Sequence, residues 1–192
     1  MNAIKFFIEG IKRFKEMGTI ARSSKYIGQT MCKHANLTNA QCIVELGAGD
    51  GPITKELLDT MPPNCKLLCF EINEELLKLL RERYGHDPRV TIINDDAAKL
   101  GEYIQAAGFE KADYVFSAIP FLIIPDDTII LESKKWLKMG GKYLQLHYSP
   151  SPKKRYASIF GNASIDFVLF NIPPAFIHIS EKNDELERSN PA

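Results

Sequence analysis

The sequence predicts an α/β fold: a mostly parallel, seven-stranded open sheet with helices on both faces and an amphipathic helical extension at the N-terminus. Short apolar runs alternate with helical periods from Gln41 onward, the succession that builds βαβ units. The first run enters a helical pattern through three closely spaced glycines, Gly47, Gly49 and Gly51, the kind of turn that follows a central parallel strand. The chain has 192 residues, 45% of them hydrophobic, which suits one soluble core and is too short for two ordinary domains. Residues 1–38 are read as the helical extension, 39–180 as the α/β domain and 181–192 as a polar tail.

Residues 3–18 place Ile4, Phe7, Ile8, Ile11 and Phe14 on one helical stripe, with Lys5, Lys12 and Arg13 off it and Gly18 as a stop. Gly10 inside this helix costs about 1 kcal/mol relative to Ala, so the helix needs a surface to form against. A second helix follows, capped by Ser23 or Ser24, and runs to about His34. Residues 42–46 form a short, mainly apolar run, as in a strand buried on both faces. A helix over 52–60 accepts Pro52 in its first turn. Then come a strand at 66–71, a helix at 74–84 and a strand at 90–93. A short helix at 101–107 precedes a strand at 114–117. A helix at 128–137 is stopped by Gly140 and Gly141. The last strands are 142–148, 165–170 and 175–180.

Formal charge is zero overall but unevenly placed. Residues 1–40 carry Lys5, Lys12, Arg13, Lys15, Arg22, Lys25 and Lys33 against Glu9 and Glu16, which suggests an anionic surface as partner. Cys32, Cys42, Cys65 and Cys69 lie in apolar surroundings without paired C-x-x-C spacing, so buried thiols are expected, with no metal. No stretch approaches the roughly 20 apolar residues of a bilayer span, and no signal-peptide pattern opens the chain. A cytoplasmic protein is expected, peripherally associated with the inner face of the membrane.

The glycines remove the Cβ atoms that hold a ligand away from the backbone. A dinucleotide turn reads G-x-G-x-x-G and offers a helix N-terminus to a pyrophosphate. Here the sixth position is Pro52, and the acids Glu45 and Asp50 disfavour phosphates. Those carboxylates would welcome an ammonium group, so the turn suits a phosphate-free nucleoside with a zwitterionic tail. That describes S-adenosylmethionine, and "ELGAGDG" resembles the E-x-G-x-G-x-G motif of the class I methyltransferases, with their Rossmann-like sheet. The resemblance implies cofactor contacts at Glu45, Gly47, Ala48, Gly49 and Gly51. It implies Glu71, with Ile72 beside it, at the ribose hydroxyls. Asp96 would accept from the adenine amine and Ala97 would supply a backbone N–H. Ser117, in "FSAIPF", would lie beside the sulfonium methyl. Asp95 is expected to be a bystander, and Asp50 to shape the loop.

Ribosomal RNA adenine dimethyltransferases carry N-L-P-Y where this chain has Ala118, Ile119, Pro120 and Phe121, so the side-chain acceptor for a base amine is missing and nucleic acid is not the expected substrate. The span from about 6 to 180 is similar to bacterial phospholipid N-methyltransferases, which methylate phosphatidylethanolamine. The carriers are "GTIARSSKYIGQTM", "GGKYLQLHYSP" with Gln145 and Tyr148, and "NIPPA". Arg22 and Thr19 depart from that family's pattern. Ornithine-lipid methylating enzymes look alike at this level. The resemblance implies a phospholipid substrate, an anionic membrane reached through the first helix, and no protein partner.

Candidate acceptor-side residues are Tyr148 to orient the headgroup, the carbonyls of Ser117 or Ala118 to take an amine hydrogen, and Tyr26 as a lid. Phe121 and Tyr148 are candidates to hold a methylated cation on their ring faces. Lys153, Lys154 and Arg155 form a basic cluster for a lipid phosphate. His147 is expected to face away from Tyr148 as a structural histidine.

Overall fold

The computed structural model describes the backbone of residues 20–121, 126–169 and 175–183, with side chains from residue 25. The first expected helix, the residues of "NIPPA" before Ala175 and the tail beyond residue 183 lie outside the described residues.

The order is α1 (Ile20–Ala35), β1 (Cys42–Leu46), α2 (Pro52–Thr60), β2 (Lys66–Phe70), α3 (Glu74–Tyr84), β3 (Val90–Ile93) and α4 (Leu100–Ala106). Then follow β4 (Ala112–Ser117), α5 (Thr128–Trp136), β5 (Leu137–His147), α6 (Lys153–Phe160), β6 (Ser164–Val168) and β7 (Ala175–Glu181). The seven strands form one sheet ordered β3-β2-β1-β4-β5-β7-β6. Neighbours from β3 to β5 are parallel, while β7 runs antiparallel between β5 and β6. This is the predicted mostly parallel α/β sheet. The chain runs outward from β1 through β2 to β3, then crosses to β4 on the other side of β1. The switch point therefore lies between β1 and β4, where Leu46 and Ser117 stand in register.

Alternation along β1 divides the core. Ile43 joins Leu67, Cys69, Ile53, Leu57, Ile27 and Met31 under α1 and α2. Val44 and Leu46 join Leu68, Phe70, Val115, Tyr143, Ile104 and Ile130 on the other face. All five residues of β1 are buried, Glu45 among them, as a central strand between two helical layers requires. The four cysteines are buried and free, and burial pushes the Cys32 and Cys42 thiols up to about 12.

Three elements depart from expectation. α1 begins at Ile20, so Ser23 and Ser24 lie inside it rather than capping it. Ala21 and Arg22 are good helix formers, and nothing at Ser23 stops the helix reaching back through them. Gly140 and Gly141 do not end a helix; β5 runs through them. Gly140 takes φ 74°, and the register with β4 shifts between Ala112 and Tyr114, a bulge. A Cβ on Gly141 would lie 2.8 Å from the Asp113 carbonyl oxygen, so the bulge needs glycine there. Finally, the segment after β5 is helical: in α6, Tyr156 and Phe160 are buried one turn apart, and Gly161 at φ 80° ends it.

Candidate active site

The turn after β1 is tied to the end of β2. Gly47 and Ala48 both donate their backbone N–H to the Phe70 carbonyl, at 2.9 and 3.0 Å. Glu71 follows, its own N–H donating to the Ile93 carbonyl, which draws in the end of β3. Its carboxylate accepts from the Gly49 N–H and from the Asn73 N–H, each at 2.7 Å. Gly47, Gly49 and Gly51 all have left-handed φ. They differ in their surroundings. A Cβ on Gly51 would lie 2.2 Å from Tyr84 Cε2, whereas one on Gly49 would meet nothing within 4 Å. Gly51 is bare because α3 packs on it, while Gly49 is bare toward open space. That open space, rimmed by Glu71 and by the 70% exposed side chain of Ile72, fits a nucleoside lying on the backbone.

The acids sort into different environments. Asp95 is engaged by Lys99 and by the Tyr103 hydroxyl, which hold its carboxyl below the usual value, whereas Asp96 is exposed and caps the following turn through the Ala98 N–H at 2.9 Å. Ala97 beside it is buried. Asp50 pairs with Arg83 at 2.8 Å and shapes the loop, as expected. Glu45 requires a correction. It is 1% exposed and shares the inward face of β1 with Ile43, so its carboxylate lies beneath the turn and not in the crevice. One oxygen accepts from Thr54 Oγ1 at 2.7 Å and from Cys69 Sγ at 3.5 Å; the other has no hydrogen-bond partner. Burial raises its pKa to about 7, with Glu71 adding a smaller push. Glu45 can act on a cation above the turn only through space.

Across the switch point, the Ala118 N–H donates to the Leu46 carbonyl at 2.9 Å, and Ile119 sits against Gly47. This brings the loop after β4 beside the glycine turn. Ser117 is fully buried, its Oγ accepting from the Ile119 N–H, so its hydroxyl braces the loop and does not face a substrate. Phe121 is also corrected. It is 1% exposed in the core, and the Arg155 guanidinium lies over its ring, so neither base nor cation can stack there. Two residues that the sequence left without these roles hold the loop. Buried Gln145 accepts from the Tyr143 hydroxyl and donates to the Ile119 carbonyl at 2.9 Å. Arg155 donates to the Phe121 and Asp126 carbonyls, both at 2.9 Å, and pairs with Asp127. It therefore spans the loop between β4 and α5 and is committed there, unlike the lysines preceding it. The one cue in the sequence was a basic residue one position before buried Tyr156.

Tyr148 follows β5 at the carboxyl edge of the sheet and is partly exposed; burial of its ring raises the phenol pKa. His147 points to the other face, as strand alternation requires, and its Nε2 lies 2.7 Å from the Tyr156 hydroxyl. Burial, then the neighbouring His178 and Arg155, lower its pKa to about 3 and keep it neutral. Tyr26 lies on α1 two residues before Gly28, where α1 packs on Glu56 and the first turn of α2. Tyr26 is 43% exposed there. Among the described residues, no group of three His, Cys, Asp or Glu is placed to hold a metal, and no helix is long and apolar enough to cross a membrane.

Residues 20–123 match the family model described as ribosomal RNA adenine dimethylase. An ornithine lipid N-methyltransferase of Singulisphaera acidiphila is 31% identical over 175 residues, covering 89% of each chain. The ribosomal RNA small subunit methyltransferase A of Thermotoga petrophila is 31% identical over 114 residues, which are 59% of this chain and 40% of that relative. Among solved structures, precorrin-6y C5,15-methyltransferase of Geobacter metallireducens superposes with a TM-score of 0.65 at 16% identity, over 81% of this chain and 88% of that one.

Proposed function

We propose, for a chain that belongs to the S-adenosylmethionine-dependent methyltransferases of the ribosomal RNA adenine dimethylase family, that the methyl acceptor is the primary amine of a membrane lipid headgroup. The protein is a methyltransferase, and its cofactor is S-adenosylmethionine. The observation that carries the lipid reading is Ala118: in the loop beside the glycine turn, at the position where the N-L-P-Y motif of the adenine dimethyltransferases has its side-chain acceptor, this chain has only a methyl group. A headgroup amine on a flexible tether needs neither that acceptor nor a stacking ring. The similarity to the ornithine lipid enzyme along 89% of each chain supports the same acceptor class. Ornithine and ethanolamine headgroups both present such an amine.

In this reading Glu71 accepts from the ribose hydroxyls, Ile72 covers one face of the adenine, and Asp96 accepts from its exocyclic amine beside the Ala97 N–H. The bare backbone at Gly47, Ala48 and Gly49 admits the amino-acid tail, with Gly51 shaping the turn and Glu45 adding negative potential from below. The bound cofactor supplies a methyl group on a cationic sulfur, a leaving group that needs no acid. Catalysis by the chain then rests on alignment and on excluding water. The Ala118 or Ser117 carbonyl accepts an amine hydrogen, and Tyr148, at the carboxyl edge of the sheet, orients the headgroup through its hydroxyl. A primary amine with an intrinsic pKa of about 10.4 is mostly charged at neutral pH, so it must lose a proton before reacting. The basic, amphipathic pattern of residues 3–18 supports a site of action at an anionic cytoplasmic membrane face.

The second reading, an adenine amine in ribosomal RNA, is favoured by the family description. Labelled methyl transfer by purified protein to ornithine lipid, phosphatidylethanolamine and small-subunit ribosomal RNA separates the two. Label in the organic phase from either lipid is expected. Label confined to RNA reverses the conclusion.

A further inference from the structure

β6 is the edge strand of the sheet and runs in the same direction as β5, so its end reaches the carboxyl edge where the site opens. Strand alternation puts Ile165 and Phe167 on one face of it, and Leu169 follows in the turn just beyond its end. Phe167 is 45% exposed and Leu169 67% exposed, although both are large and apolar. Opposite Phe167 in register is Phe176, with ring centroids 5.2 Å apart. Phe176 in turn is in register with His147, which lies under Tyr156 of α6. The apolar strip is therefore next to α6, and its outer side is exposed among the described residues.

The first turn of α6 supplies charge to this surface. Lys153 and Lys154 are exposed, and neither ammonium meets a carboxylate among the described residues, in contrast to Arg155. Lys153 stands one helical turn before Tyr156, whose ring packs against His178, the cross-strand neighbour of Ile165. Apolar side chains bordered by exposed lysines, on one edge of a sheet, are complementary to acyl chains beneath anionic phosphates.

We infer that the strip Ile165, Phe167 and Leu169, with Lys153 and Lys154, docks the α/β domain onto an anionic lipid bilayer. Docking there presents the carboxyl edge of the sheet to the membrane, independently of the N-terminal segment. The inference deepens the lipid reading above and rests on it for the choice of a bilayer as the occupant.

The test uses full-length protein and vesicles of phosphatidylglycerol and phosphatidylcholine, neither of which carries a methylatable amine. Trp136, the single tryptophan, sits at the end of α5 on the opposite edge of the sheet. With dibrominated acyl chains, the F167W variant is expected to show quenching that the parent protein does not. L169S and K153Q/K154Q should weaken vesicle binding while leaving cofactor affinity unchanged, the lysine pair by about fivefold per charge removed. Vesicle binding without quenching in F167W would overturn the inference, as would no vesicle binding at all. A parent dimer that F167S dissociates would assign the strip to a second copy of the chain and overturn it too. Because no acceptor amine is present, a failure of docking is read separately from a failure of lipid methylation.

Discussion

The Glu71 carboxylate accepts a hydrogen bond from the Gly49 N–H at 2.7 Å, so the acid ending β2 and the bare turn after β1 form one unit. In it an acceptor for hydroxyl groups and a backbone stripped of Cβ atoms border the same open space.

Replacing Glu71 by Ala should weaken S-adenosylmethionine binding about tenfold to a hundredfold, as loss of hydrogen bonds to a charged group implies. The Gly49 and Asn73 N–H groups it releases lie at a strand end within reach of water, so folding should persist. Calorimetry and circular dichroism check both halves; unchanged affinity would remove Glu71 from the site.

Gly49 and Gly51 should behave differently on substitution by Ala. Each carries left-handed strain worth about 1–2 kcal/mol. G51A additionally drives a methyl into Tyr84 and should lose about 3 kcal/mol or more of stability, measured by denaturant unfolding. G49A meets no protein atom within 4 Å, so its larger effect should fall on cofactor affinity. Equal stability losses without a binding defect in G49A would contradict a ligand above that residue.

Glu45 makes stability depend on pH. Its folded pKa of about 7 stands above the ordinary carboxylate value of 4.5 because burial disfavours the charge. Between these values the folded state holds a proton that the unfolded state has released. Stability attributable to this group therefore falls as pH rises from about 4.5 to 7, then stays level. E45Q should flatten that fall and be more stable than the parent at pH 8. As Glu45 ionises, affinity for the cationic cofactor should rise through neutral pH in the parent and not in E45Q. A cofactor affinity independent of pH in both proteins would remove Glu45 from the electrostatics of the site.

Arg155 holds the loop after β4 from both sides, through the Phe121 and Asp126 carbonyls. R155K keeps the charge and loses the fork geometry. It should raise KM for the acceptor several-fold while cofactor affinity is retained. A change in cofactor affinity alone would place the defect elsewhere.

Much of the site was legible in the sequence because it depends on local backbone demands. Glycines at 47, 49 and 51 between an apolar run and Pro52 read directly as a strand, turn and helix, and Glu71 ends a run of strand residues. What was illegible depends on tertiary partners. Glu45 looked available to a ligand, but the parity of β1 sends it under α2 to Thr54. Phe121 looked like a stacking ring, but the chain turns it into the core. Gly140 and Gly141 resembled a helix stop because a bulge and a helix end ask for the same backbone freedom. α6 has eight residues, two of them buried aromatics, too short a period to stand out from a loop.

The most direct measurement is mass spectrometry of lipids and ribosomal RNA from cells expressing the parent chain or E71A. The account predicts N-methylated aminolipids with the parent and none with E71A, while ribosomal RNA is unchanged. An unchanged lipid profile together with newly methylated adenine in ribosomal RNA would contradict it.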